Sequence, residues 1–80
     1  MKARVFVTLK NGVLDPQGKA IGNVLHGLGF ASVSDVRQGK IIDIELAEKD
    51  ETRAKATLKD MCEKLLANTV IEKYEIELRK

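Results

Sequence analysis

The sequence predicts an α+β fold in one domain over residues 1–80: an antiparallel sheet with two helices on one face. Three observations carry this expectation. Apolar and polar residues alternate from Ala3 to Leu9 and again from Tyr74 to Arg79, the period of strands with one buried face. Two stretches with capping signals, Lys19 to Leu28 and Glu51 to Leu66, repeat their apolar residues at helical spacing. Between them runs a second extended region, Ala31 to Ala47, broken at Gly39. Strand, helix, extended region, helix and strand then bury two apolar stripes against one sheet.

In the first strand Ala3, Val5, Val7 and Leu9 point one way, and Lys2, Arg4, Phe6, Thr8 and Lys10 the other. Phe6 is the exception on the polar face. It is either a lone surface aromatic or the mark of a face covered by another subunit, which makes it the candidate dimer-surface residue. The strand leads into Gly12-Val13-Leu14-Asp15-Pro16-Gln17-Gly18, a strand-to-helix joint. The Asp15 carboxylate is placed to accept the free N–H groups of the first helical turn. Pro16 suits the first helical position, where no donor is needed. Gly12 lets the chain leave the strand through a conformation closed to most residues.

The first helix carries the stripe Ile21, Val24, Leu25 and Leu28, and Gly29 is its expected C-terminal cap. His26, the single histidine, lies off the stripe and has no cluster of partners for catalysis or metal binding. In the extended region Val36, Ile42, Ile44 and Leu46 keep one parity across Gly39. This parity favours one long bent strand, while Gln38-Gly39 as a two-residue turn would give a hairpin and a βαββαβ order. Arg37 and Lys40 flank that glycine either as solvated charges or as a contact for an anion or a partner. Asp50 caps the second helix, with Glu51–Lys55 and Asp60–Lys64 as favourable pairs one turn apart. Ala54, Leu58, Met61, Cys62 and Leu65 form its stripe, so Cys62 reads as a small core residue. Ala67-Asn68 is the exit, since Asn tolerates the left-handed conformation.

Composition narrows the function classes. Apolar residues make up 44% and charged residues 32%, an ordinary soluble mixture. A net charge of +2, with signs interspersed, does not suggest nucleic acid. No apolar run approaches the roughly 20 residues that span a membrane, and Met1-Lys2-Ala3-Arg4 does not open a secretory signal. One cysteine cannot form an internal disulfide, which fits a reducing, cytoplasmic setting. The glycines around the joint lack the Gly-Lys-Ser/Thr ending of a phosphate loop, and neither a paired-cysteine nor a His-Glu-x-x-His metal signature occurs. One Cys and one His do not assemble a nucleophile with its base. The residues therefore name no catalytic, cofactor-binding or metal-binding group.

Three blocks nevertheless form a recognisable set: Leu9-Lys10 with Gly12 to Ala20, then Val36-Arg37-Gln38-Gly39-Lys40, then Met61 to Glu72. In order, spacing and total length the chain resembles the PurS-type small subunit of phosphoribosylformylglycinamidine synthase, along essentially its whole length. The resemblance implies an accessory subunit of a carbon–nitrogen ligase in purine biosynthesis. That enzyme converts formylglycinamide ribonucleotide to formylglycinamidine ribonucleotide with ATP and glutamine. It further implies a bridge between a glutaminase subunit and a large synthetase subunit, with ATP and Mg held by the large subunit and no cofactor in this chain. A homodimer or higher oligomer is expected, without nucleic acid or membrane. The irregular segments then become the candidate partner-binding surface: Gly12, Val13, Leu14, Asp15, Gln17, Lys19, Arg37 and Lys40. An amino-acid-binding regulatory module of the ACT type shares the strand–helix rhythm and is the alternative. An RNA-recognition domain would need more exposed aromatics than Phe6 on its strands.

Overall fold

The alternating stretch at the N-terminus becomes β1 (Lys2–Leu9), the central strand of a three-stranded sheet. The computed structural model describes residues 1–79, with β1 between β2 (Gly39–Glu45) and β3 (Glu72–Arg79) and both pairings antiparallel. Val5 stands opposite Ile42 on one side and Ile76 on the other. Because side chains alternate along each strand, Ala3, Val5 and Val7 share a face with Ile42, Ile44, Tyr74 and Ile76. Over that face packs α2 (Glu51–Met61), which continues into a π-helical turn, Cys62–Leu66. Val5, Leu58 and Cys62 are completely buried between these layers. Burying a side chain of the Val or Leu kind is worth about 1.5–3 kcal/mol, so this small set carries much of the stability.

The α+β class, the antiparallel sheet and the two helices stand as the sequence implied, but the middle region differs from both forms considered for it. The hairpin of the βαββαβ order does not form, nor does one long bent strand. The element order is β1, α1 (Pro16–Gly27), β2, α2, the π-turn and β3. Gly39 is where β2 begins. A Cβ there would lie 2.7 Å from Thr8 Cγ2 and 2.8 Å from the Val7 carbonyl oxygen, so glycine admits the new strand beside β1. Residues 31–38 form no strand; they run back along α1, and Val33 and Val36 turn toward that helix instead of extending the sheet.

The second difference concerns α1. On the inner face of the sheet α2 packs toward β3, whereas α1 makes no extensive packing with any strand among the described residues. Ile21, Val24 and Leu28 of its stripe are 42%, 62% and 67% exposed. The molecule is accordingly elongated, 49 × 26 × 14 Å, with a radius of gyration of 16.1 Å; a compact chain of this length would have one of about 12 Å. At the end of α1 the Gly29 N–H donates to the His26 carbonyl and the Phe30 N–H to that of Leu25, with Gly29 at φ 99°. This is the Schellman cap that glycine at that position implied.

The π-turn moves one predicted core residue. Its widened turn, closed by the Ala67 N–H on the Cys62 carbonyl at 3.0 Å, shifts the register of the stripe. Leu65 is thereby turned out to 82% exposure, while Ala67 is buried and Leu66 packs against the core. Asn68 ends the element without the left-handed conformation, which no non-glycine residue adopts among those described. Its carbonyl instead accepts from Ile71 and Glu72. No helix among the described residues is long and apolar enough to cross a membrane.

Candidate partner-facing site

The joint between β1 and α1 gathers more polar contacts than any other part of the chain requires for its own turn. Asp15 caps α1 through Oδ1, which accepts the Gly18 N–H at 2.8 Å. Its other oxygen accepts the Gln38 N–H at 2.7 Å, from the far side of the arm. These two bonds, Gln38 first, hold the Asp15 carboxyl below the usual carboxylate range. Gly12 takes φ 85°, the positive conformation its place at the joint implied.

Arg37 lies beside this carboxylate. Its Nη1 donates to the Val13 carbonyl at 2.8 Å and its Nη2 to that of Lys10 at 3.1 Å. The Arg37 guanidinium, expected either as a solvated charge or as a contact for an anion or a partner, is thus engaged by the chain's own backbone. Between these contacts Val36 crosses α1. A Cβ on Gly18 would overlap the Val36 carbonyl oxygen, and one on Gly22 would stand 3.5 Å from Val36 Cγ2. At the other end His26 Nε2 and the Val33 carbonyl are 2.6 Å apart. A carbonyl only accepts, so that nitrogen carries the proton.

The remaining candidate residues are spread around this core of contacts. Leu14, Gln17 and Lys19 are exposed and Val13 is half-buried. Lys40 projects from the start of β2 toward Glu72, at 4.0 Å. Two open cavities flank Asp15. One, of about 330 Å³, lies between α1 and the returning segment and is lined by Leu14, Gly22, His26 and Val36. The other, of about 410 Å³, is bounded by Pro16, Gln38, Lys40 and Glu72. Phe6 is elsewhere, half-buried on the outer sheet face opposite Ile41, beside the Arg4–Asp43 ion pair at 2.8 Å. Joint and outer face are therefore separate surfaces.

Sequence reasoning assigned the stripe of α1 to the core and so missed it as a surface. Ile21, Val24 and Leu28 are continued by the exposed Leu14 and Phe30 at the two ends of the helix. Lys19 is the only lysine, arginine, aspartate or glutamate within α1. That scarcity of charge was visible beforehand, and set against the charged α2 it marks a helix that is not meant for water on all sides. No group of three His, Cys, Asp or Glu that could hold a metal occurs among the described residues. Cys62 is buried and its thiol is pushed up by desolvation, which disfavours the thiolate.

A small sheet-based body with a projecting, nearly uncharged helical arm defines a class: an α+β module organised for association. Comparison with known proteins agrees with this and is more specific. Residues 2–80 match the PurS family, described as phosphoribosylformylglycinamidine (FGAM) synthase. The phosphoribosylformylglycinamidine synthase subunit PurS of Bacillus subtilis is 47% identical over 99% of this chain and 93% of that protein. The solved structure of B. subtilis PurS superposes with a TM-score of 0.89, covering 99% of this chain and 98% of that one. A chain of the PurLQS structure from Thermotoga maritima is 34% identical, with a TM-score of 0.86 over 95% of this chain and 93% of that one. The chain belongs to the PurS family of phosphoribosylformylglycinamidine synthase subunits.

Proposed function

We propose that this chain is the non-catalytic small subunit that bridges the glutaminase and the large synthetase subunit of phosphoribosylformylglycinamidine synthase. In this reading the assembled enzyme converts formylglycinamide ribonucleotide to formylglycinamidine ribonucleotide in the cytoplasm. Glutamine supplies the ammonia, and ATP with Mg is bound by the large subunit and not by this chain. Membership of the family and the likeness to a chain of a PurLQS structure support the reading. The observation that carries it is the α1 arm, whose apolar stripe is left open by its own sheet. Such a surface is costly in water and becomes favourable when another chain covers it. A bridge also makes chemical sense. Ammonia released in one active site must reach the other without being lost to water, and a closed interface between them limits that loss.

A second copy is one of the partners in this proposal. Ile42 and Ile44 of β2 are only half-buried, because α1 does not cover that side of the sheet. Each copy thus has an apolar sheet margin and an apolar helix left open, and the helix of one copy can cover the margin of the other. A homodimer, or a higher oligomer built from it, brings them together. The test is co-purification with the glutaminase and the synthetase, followed by glutamine-dependent turnover with and without this chain. The proposal expects a complex of all three and turnover that requires the chain. Full glutamine-dependent turnover by the other two alone would overturn it.

A further inference from the structure

The direction in which the α1 arm leaves the sheet has a specific cause. The chain enters the arm after Lys10 and returns from it at Gln38, and among the described residues α1 makes no extensive packing against the sheet. Among the described residues, the polar ties between arm and body converge on these two crossings. Lys10 is itself anchored, its N–H donating to the Ile71 carbonyl just before β3 at 2.8 Å. Its carbonyl then accepts from Arg37 Nη2, and Arg37 Nη1 reaches on to Val13. Asp15 completes the tie, joining the first turn of α1 through Gly18 to Gln38, the residue before β2. Asp15 and Arg37 thus join the outgoing and returning crossings to one another, and the Lys10 backbone ties the same base to the residue before β3.

We propose that Asp15 and Arg37 act together as a latch that sets the direction of the α1 arm relative to the sheet. Beyond the latch the arm holds together by itself. Val36 lies against Gly18 and Gly22, and His26 meets the Val33 carbonyl, so helix and returning segment move as one body. Opening the latch leaves residues 10–15 and 38–39 as two short connections about which that body can swing. Closing it presents the arm in one orientation, which removes an ordering cost from any association that uses it. Hinges of this kind are a few residues at the ends of elements that absorb the change in backbone angles.

The test measures orientation directly, with parent and variants compared at a dilution where each is a monomer by light scattering, so that no second copy holds the arm. Cysteines are introduced as Ala20→Cys on α1 and Thr57→Cys on α2, both exposed, in a Cys62→Ala background. Nitroxide labels are attached, and the labelled chain is kept dilute so that distances within one copy are read. Pulsed electron–electron resonance on the parent is expected to show one narrow distance. Arg37→Met removes both carbonyl bonds and leaves the Asp15 cap in place; it should broaden and shift that distance while the helical circular dichroism is kept. Asp15→Asn, which cannot accept at both amides, should do the same. A distribution in Arg37→Met as narrow as the parent's, and centred at the same distance, would overturn the latch. Should Arg37→Met lose its helical signal, Asp15→Asn decides by the same criterion.

Discussion

The carbonyl oxygen of Val36 occupies the space into which a Cβ on residue 18 would project. Glycine normally weakens a helix by about 1 kcal/mol relative to alanine, so Gly18→Ala in an isolated α1 would stabilise it. In the folded chain the opposite is expected. The returning segment must lift away, taking Gln38 from Asp15, and the melting temperature should fall. Thermal denaturation followed by circular dichroism checks the sign, and an increase would show that Val36 can move without cost.

The Asp15 carboxylate gives a second prediction, with a defined pH dependence. Its pKa is lowered in the folded chain by the Gln38 and Gly18 N–H bonds. A group whose folded pKa is depressed adds stability that is fully present above its unfolded pKa and is lost as pH falls through the folded value. The stability lost in Asp15→Ala should therefore be complete at neutral pH and shrink in acid, below the ordinary aspartate value of 3.8. At neutral pH the loss of this cap should lower the melting temperature by roughly 5 °C. Denaturation of both proteins across the acid range tests this, and a gap that widens in acid would contradict it.

Tyr74 donates its hydroxyl to Glu63 Oε2 at 2.7 Å, a pairing that joins β3 to the π-turn. The neutral phenol is the donor, so Glu63 favours it and pushes the pKa up from 10.0 to about 12. The chain has one tyrosine and no tryptophan, so its phenolate absorbance reports this group alone. A raised pKa adds stability below the unfolded value that is lost as pH rises through the folded one. Glu63→Ala should move the transition down toward 10. An unchanged titration would mean that the hydrogen bond is absent in solution.

The open stripe on α1 is expected to be an interface. Val24→Glu and Leu28→Glu place charge where a partner would bury it, and neither side chain contributes to the core of the isolated chain, being 62% and 67% exposed. Both variants should keep the parent's helical signal and sediment as smaller species. Retention of the parent's size by both would exclude this face from self-association.

In the core, Leu58→Ala should cost about 2–5 kcal/mol, because Leu58 is fully buried and its removal leaves a cavity. Cys62→Ala removes much less volume and should leave glutamine-dependent turnover of the reconstituted complex intact. Denaturant unfolding ranks the two, and loss of turnover in a folded Cys62→Ala protein would assign the thiol another role.

Local chemistry was enough to read the strands, the helix caps at Asp15 and Asp50, the glycine turns at Gly12 and Gly29, and the burial of Val5, Leu58 and Cys62. Each depends on neighbours in the chain or on a simple repeat, and those are written in the order of residues. The same reasoning names Asp15, Arg37 and Lys40 as candidates for a partner surface and does not say what Arg37 touches within its own chain. Its carbonyl partners are 24 and 27 residues away, and no periodicity encodes a contact across that distance. Residues 31–38 look extended by composition, as a strand would; whether they pair with β1 depends on where α1 goes. The apolar stripe of α1 was legible as a stripe. Its amphipathic pattern states that one face must be covered, and it is silent on whether the cover is the chain's own sheet or another molecule. That choice lies in the tertiary geometry: the fit of Val36 against Gly18 and the Asp15 and Arg37 bonds across the two crossings.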